Sequence, residues 1–283
     1  VTDEPILPAE RFEQQRPRLR AVAYRMLGSL TEAEDAVQET WMRASRADLG
    51  EVENLAAWLT TVVARISLNI LRSRRREEPM LPELIVEAAG ESDPADDAVL
   101  ADAVGLAMLV VLETLTPAER LAFVLHDMFA VPFEQIAPMI DRSPAAARQL
   151  ASRARRRVRD QAPVPDPDVR RQRQVVDAFF AASRNGDLDR LAELLHPDVV
   201  LRVDGGRTRR HQTMVVHGPD EVMKQARLGA RLNVRLEPVY VNGGAGVVIN
   251  TGSHPLAVMA FTVADGRIAA IDILTDPERL SRN

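Results

Sequence analysis

Two patterns of apolar positions divide the chain. Up to about residue 160 they recur every three or four places, the spacing of one helix face; beyond residue 196 they alternate or run in short blocks, as strands do. The spacing predicts a helix over 11–27 with Phe12, Leu19, Val22, Ala23, Met26 and Leu27 inward, ended by Gly28-Ser29. A second helix starts near Thr31, whose hydroxyl with Glu34 three residues on makes a capping box, and buries Ala33, Val37, Thr40, Trp41 and Ala44. A third, over 55–76, turns Ala56, Leu59, Val62, Val63, Ile66, Ile70 and Leu71 inward.

Residues 98–115 resume the helical period with Leu100, Val104, Ala107, Val111 and Leu112, and Thr116-Pro117 supplies a new cap and first-turn proline. Phe133, Ile136, Ala137 and Ile140 form the stripe of a short helix. Asp141-Arg142 then leaves a tight turn before Ser143-Pro144, a strong helix start, and Ala147, Leu150, Ala151, Ala154 and Val158 give the next helix its buried stripe. Two crossed helices of a helix-turn-helix fit this layout.

The last third predicts two helices over 171–195 with Asn185-Gly186 between them. Strands follow at 199–203, 213–216, 232–241, 245–250, 256–263 and 268–273, interrupted by a helix at 219–228. Gly205-Gly206, Gly243-Gly244 and Asp265-Gly266 supply turns. The result is an α+β domain whose curved sheet could close over a pocket. Proline, glycine and acidic residues mark 78–97 as a flexible linker, and Pro163, Pro165 and Pro167 mark 161–169 as an extended spacer. The predicted bodies are therefore 9–77, 98–160 and 170–276, with a tail at 277–283.

At 283 residues with ordinary apolar content the chain can bury several cores. No run approaches the roughly 20 apolar residues of a membrane span and no signal peptide opens the sequence, so a soluble, cytoplasmic protein without a membrane partner is expected. The absence of cysteine excludes disulfides, thiolate catalysis and cysteine-ligated metal, and no metal or cofactor is expected. Net charge is −5, which by itself argues against nucleic acid, but the distribution does not. Arg72, Arg74, Arg75 and Arg76 form one basic patch and residues 148–159 another, separated by an acidic stretch at 77–102.

On the outward face of the 144–161 helix, Arg148 and Gln149 can hydrogen-bond base edges, and Ser152, Arg153 and Arg156 follow among further arginines. The alternative is an ordinary helical hairpin with a solvated basic face. On the third helix, Trp58, Thr61, Arg65, Asn69 and Arg72 share a face that could stack on and bond unpaired bases, unless Trp58 is core and the arginines are merely solvated. Asp35, Gln38, Glu39 and Met42 lie on one face of the second helix, and by spacing alone that face reads as solvated rather than as a protein contact.

Three stretches carry a resemblance. DAVQETWMR at 35–43, AWLTTVVARISLNILRSRRR at 57–76, and LTPAERLAFVLHDMFAVPFEQIA followed by RSPAAARQLASRARRR resemble, in order, regions 2 and 4 of extracytoplasmic-function sigma factors of the sigma-70 type. The resemblance implies two all-α domains, a region 2 bundle and a region 4 helix-turn-helix. Asp35, Gln38, Glu39 and Met42 would then grip the β′ clamp helices of core RNA polymerase, and the β flap would be a second contact. Trp58, Arg65, Asn69, Arg72, Arg75 and Arg76 would melt and read the minus-ten element of promoter DNA. Ser143, Arg148, Gln149, Ser152, Arg153 and Arg156 would read the minus-thirty-five duplex, though Ala145-Ala146-Ala147 leave little base-specific chemistry at the helix start.

Residues 179–206 resemble the cone-shaped SnoaL-like, NTF2-like domain that a subgroup of these factors carries behind the sigma regions. There the domain is thought to regulate the sigma core in cis, and the resemblance marks Asp204, Gly205, Gly206, Arg207, Asp276, Pro277 and Glu278 as regulatory. A small-molecule ligand of this domain is a further possible partner. SnoaL relatives include cyclases, so Asp204, His211, His217, His254, Tyr240 and Asp272 are acid/base candidates; no pair of them has a spacing that forces it together, and a non-enzymatic role is expected. A ligand-sensing DNA-binding regulator that does not join polymerase is the competing reading.

Overall fold

A computed structural model describes residues 9–50, 52–74, 81–89, 105–206, 208–252 and 254–281. The chain separates into two compact units, one of residues 1–79 and 111–161, the other of residues 80–110 and 162–283.

The first unit is helical. Helices α1 (Ala9–Leu27), α2 (Leu30–Ala44) and α3 (Leu55–Ser73) pack on one another. The cap of α2 is Ser29, whose hydroxyl accepts from the Glu32 amide; Thr31 lies inside the helix, so the capping box expected there does not form. The buried face of α3 is Leu59, Thr60, Val63, Ala64, Ile66, Ser67 and Leu68, with Ala56, Val62, Ile70 and Leu71 only half-buried. This rotation is possible because the Thr60 and Ser67 hydroxyls donate to the Ala56 and Val63 carbonyls, so neither is buried unsatisfied. By length and apolar composition alone α3 could cross a membrane, but its apolar face is packed on α1 and α2 within the bundle.

The remainder of the helical unit starts with the capped helix Pro117–Phe123, where Thr116 and Glu119 form a reciprocal capping box. It continues through a wide turn, Val124–Met128, into Phe133–Ile136. Pro138 cannot donate to an α-helical ladder, so Ala137–Met139 tightens to a 3-10 turn and the short helix stops earlier than its apolar spacing suggests. Asp141 then takes a left-handed conformation (φ 54°), and the Ser143 hydroxyl accepts from the Ala146 amide at the start of Pro144–Gln161. Ala147, Ala151, Ala154 and Val158 are buried, as their spacing predicts.

The second unit is one seven-stranded sheet with helices. Strands β1 (Val86–Ala88), β2 (Leu195–Asp204), β3 (Met214–His217), β4 (Arg235–Val241), β5 (Gly244–Thr251), β6 (His254–Ala264) and β7 (Arg267–Leu274) lie in the order β1-β4-β5-β6-β7-β2-β3. All neighbours are antiparallel except β2 and β7, which run parallel. Helices Val169–Asn185, Leu188–Leu194 and Pro219–Gly229 pack against one face, where Val176, Phe179, Leu191, Phe261 and Ile271 sit at the centre. The other face buries Val239, Val241, Val258, Ala260 and Leu274 under Leu84, Leu106 and Leu280. Cover on both faces explains why β6 reads as a continuous apolar run rather than an alternation.

Three expectations change here. Residues 81–89 fall within the predicted linker, yet Val86–Ala88 pairs with Val239–Val241 at the sheet edge, and Ile85 exchanges backbone and side-chain hydrogen bonds with Asn242. The proline spacer is also anchored: the Asp166 amide donates to the Val263 carbonyl, and its carboxylate accepts from the amides of Asp265 and Gly266 at the β6–β7 turn. The β4–β5 turn is Asn242-Gly243, both at positive φ, and Gly244 belongs to β5. Leu100 and Val104 lie outside the described residues; Ala107 and Leu112 are buried in Leu106–Glu113 as expected.

Candidate nucleic-acid interface

The 144–161 helix presents Arg148, Gln149, Ser152, Arg153 and Arg156 to solvent, and Ser143 is exposed at its cap. They are not equivalent. The Arg148 guanidinium sits 5.3 Å from the centre of the Phe133 ring, a cation–π contact that fixes its stem. Arg153 donates to Glu119 at 3.2 Å, and Arg155 pairs with Asp127 at 2.6 Å. Burial alone would raise the Glu119 carboxyl, but its hydrogen bonds with Thr116 and the Arg153 guanidinium outweigh that and hold it below the usual range. Gln149, Ser152 and Arg156, three and four residues apart, have no side-chain partner among the described residues and form one uncommitted strip.

On α3, Arg65, Asn69 and Arg72 are exposed without intramolecular partners among the described residues, and Trp58 is half-buried beside them. Arg74 is engaged differently, bonding the Leu27 carbonyl and the Glu32 carboxylate. Arg75 and Arg76 lie outside the described residues. On α2, Asp35, Gln38 and Met42 are exposed, and Glu39 is half-exposed and paired with Arg43 at 2.9 Å. Trp41 turns away from this face and packs on Phe12, ring centres 5.0 Å apart.

A residue not singled out by its spacing joins the halves of the helical unit. Arg120 is 2% exposed; it donates to the Met26 carbonyl at 2.7 Å and the Leu112 carbonyl at 2.8 Å, and pairs with Glu113 at 2.9 Å. Nearby, Arg18 donates to the Phe129 carbonyl, and the guanidinium groups of Arg18 and Arg25 lie over the Phe129 ring. An arginine inside an otherwise ordinary amphipathic helix gives no signal of such a role.

In the sheet unit, the carboxylate of Asp204 is a hub. It accepts from the Leu81 amide at 2.8 Å, from Arg279 at 2.7 Å and from the Gly206 amide at 2.9 Å, and Arg279 also donates to the Leu81 and Pro82 carbonyls. Asp276 caps the last described helix, Pro277–Leu280, through the Glu278 amide and approaches Thr208. Gly206 has φ 60°, and a Cβ there would collide with the Asp276 carboxylate, while one at Gly205 would collide with the Arg209 carbonyl. The residues marked regulatory at 204–206 and 276–278 thus converge with Leu81 and Arg279, both missed; Arg207 lies outside the described residues. The Leu81-Pro82 pair and the apolar run 84–86 inside an acidic stretch were the available signal.

The sheet and its helices also enclose a cavity of about 540 Å³. Leu201, Met259 and Ile271 are among its walls, and Leu228 and Leu232 sit exposed at it. None of Asp204, His211, His217, His254, Tyr240 and Asp272 lines it. Asp272 is 1% exposed on the other face of β7, where burial pushes its carboxyl up against the opposing pull of Arg202 at 3.0 Å; its Oδ2 has no hydrogen-bond partner among the described residues. A raised carboxyl favours the fold below its unfolded pKa of about 3.9, and that contribution fades as pH rises through the folded value. The stability of Asp272→Asn relative to the natural chain is therefore expected to rise as pH climbs from about 3.9 through the raised folded value. Urea unfolding at both ends of that window checks it; a difference that does not change with pH contradicts the assignment.

These helices and this sheet match known families over most of the chain. Residues 11–77 match Sigma-70 region 2, residues 106–158 match Sigma-70 region 4, and residues 176–271 match the SnoaL-like domain. The class is that of RNA polymerase sigma factors with an added α+β domain. The ECF RNA polymerase sigma factor SigJ of Mycobacterium tuberculosis is 39% identical over 95% of this chain and 92% of its own length. The probable ECF sigma factor SigI of the same species is 35% identical over 95% and 93%. The crystal structure of M. tuberculosis SigJ superposes with a TM-score of 0.75 at 35% identity, covering 97% of this chain and 98% of that one. The chain belongs to the extracytoplasmic-function family of RNA polymerase sigma factors.

Proposed function

We propose that this sigma factor joins core RNA polymerase in the cytoplasm and selects promoters with two separate surfaces. Trp58, Arg65, Asn69 and Arg72, with Arg75 and Arg76 beyond them, receive the melted minus-ten strand, where stacking and phosphate contacts are what unpaired bases offer. The 144–161 helix enters the minus-thirty-five major groove, with Gln149, Ser152 and Arg156 reading and Ser143, Arg148 and Arg153 positioning. Asp35, Gln38, Glu39 and Met42 meet the β′ clamp helices, and the region 4 helices meet the β flap. The observation that carries this reading is the pair of uncommitted polar strips, Arg65-Asn69-Arg72 and Gln149-Ser152-Arg156, on one helical unit.

That unit has to open to work. Promoter elements about 25 base pairs apart are separated by roughly 85 Å at 3.4 Å per pair. A compact body of about 130 residues has a radius of gyration near 14 Å and is under about 40 Å across. The C-terminal domain then acts in cis on a sigma core that exists in closed and open forms. It does so without catalysis, as a domain whose cavity walls hold no acid or base among the described residues, and it takes a small-molecule ligand there.

Run-off transcription with purified core polymerase on a promoter library tests this, comparing the full chain with one ending at Asp160. Specific transcripts are expected from at least one form, and a difference between them gives the sign of control by the C-terminal domain. Gln149→Ala with Arg156→Ala should flatten the promoter profile, each lost base contact removing about 1–3 kcal/mol of discrimination. Asp35→Lys with Glu39→Lys should abolish capture by core polymerase while leaving the melting curve in place. Silence from both forms beside an active control sigma factor contradicts the proposal.

A further inference from the structure

The cavity of the sheet unit has a one-sided chemistry. Its walls are aliphatic and aromatic, Phe179, Phe180, Leu201, Met259 and Ile271 among them, and its charged lining groups are Arg184 and Arg209 alone. Among the described residues no aspartate, glutamate, histidine, tyrosine or lysine lines it. Arg184 makes no ion pair or hydrogen bond among the described residues. Arg209 spends one N–H on the Thr275 carbonyl at 3.0 Å, and its other guanidinium N–H groups are free among the described residues. Gln212 and Gln225 add neutral donors to the same wall.

Two cations with no carboxylate facing them, beside an apolar chamber within the roughly 300–1,000 Å³ range of small-molecule sites, define a ligand by complementarity. We propose that this cavity binds an apolar carboxylic acid, its hydrocarbon body inside and its carboxylate on Arg184 and Arg209. Arginine suits that head group because its planar fork meets both carboxylate oxygens at once. Leu228 and Leu232, each more than half exposed, form the apolar lip over which the body enters. With no acid or base in the walls, the molecule is held and not converted. The binding claim stands on the cavity; any effect on transcription rests on the cis-regulatory reading above, and the two have separate readouts.

Calorimetric titration of the full chain with octanoate, decanoate and dodecanoate below their micellar concentrations tests the site, with decanol and decylammonium as head-group controls. One saturable site is expected for at least one acid, with the alcohol about tenfold weaker or more and the ammonium undetectable, a charged hydrogen bond to carboxylate being worth at least that factor. Arg184→Gln, at an exposed position where folding is not at stake, should weaken the acid about tenfold, and Arg209→Gln similarly. Ala257→Phe, which narrows the chamber from β6, should weaken dodecanoate more than octanoate. Equal affinity for acid and ammonium, no saturable site for any acid, or a chain-length ranking left unchanged by Ala257→Phe overturns the proposal. Run-off transcription with and without decanoate, the Ala257→Phe chain serving as control, then reads whether occupancy acts on the sigma core; binding without a transcriptional change leaves the site and removes that consequence.

Discussion

Replacing Arg120 with Ala is expected to cost about 3–5 kcal/mol of unfolding free energy. The side chain is 2% exposed and supplies donors to two backbone carbonyls, Met26 and Leu112, that lose them when it is removed. Each abandoned carbonyl costs about 1–3 kcal/mol, and the Glu113 carboxylate, a quarter exposed, loses its partner with a smaller penalty. Arg120→Lys should fall between, since an ammonium cannot meet both carbonyls and Glu113 in the same fork geometry. Because Met26 lies in the last turn of α1 while Arg120 belongs to the 117–123 helix, the loss falls on the contact between the two halves. Small-angle scattering should show an expanded helical unit before global unfolding. A urea midpoint within error of the natural chain would show that Arg120 holds nothing together.

Asp204→Ala is the second large effect, about 2–4 kcal/mol, less than a fully buried pair because Arg279 keeps 17% of its side chain exposed. One carboxylate holds the Leu81 amide, the Arg279 guanidinium and the Gly206 turn, so its removal releases all three. Asp204→Asn, which keeps the shape and loses the charge, separates the hydrogen bonds from the ion pair. In transcription the Ala variant should approach the behaviour of the chain ending at Asp160, whichever direction that takes. A destabilised variant that transcribes like the natural chain would leave the hub structural and remove it from control.

The elements that the sequence makes legible are those with a local cause. Ser143-Pro144 and Thr116-Pro117 start helices because a hydroxyl and a proline solve the problem of free amides within four residues. Asp265-Gly266 turns a hairpin for an equally local reason. What the sequence hides has partners far away: β1 is three residues long, sits among acids and exists only because β4, about 150 positions later, offers an edge. The rotation of α3 was hidden for a different reason, since Thr60 and Ser67 read as polar until their hydroxyls are seen bonded to the preceding turn. On the 144–161 helix the outward face lies where its spacing places it; which arginines on it are already committed, Arg148 to Phe133 and Arg153 to Glu119, depends on residues 15 and 34 positions away and shows only in three dimensions.

The bond between Leu81 and Arg279 also sets an order of events in time. Their separation of 198 positions means that a ribosome adding about 5–20 residues per second needs on the order of 10–40 s to deliver the guanidinium after the carbonyl it will hold. Helices α1 to α3 and the 144–161 helix emerge well before that. Each new molecule therefore passes through an interval in which helices α1 to α3 and the 144–161 helix are made and the fastening of residues 81–82 to Arg279 is not. The seating of residues 81–82 on the sheet unit is in this sense acquired late, and the rate of elongation sets how long the chain waits for it.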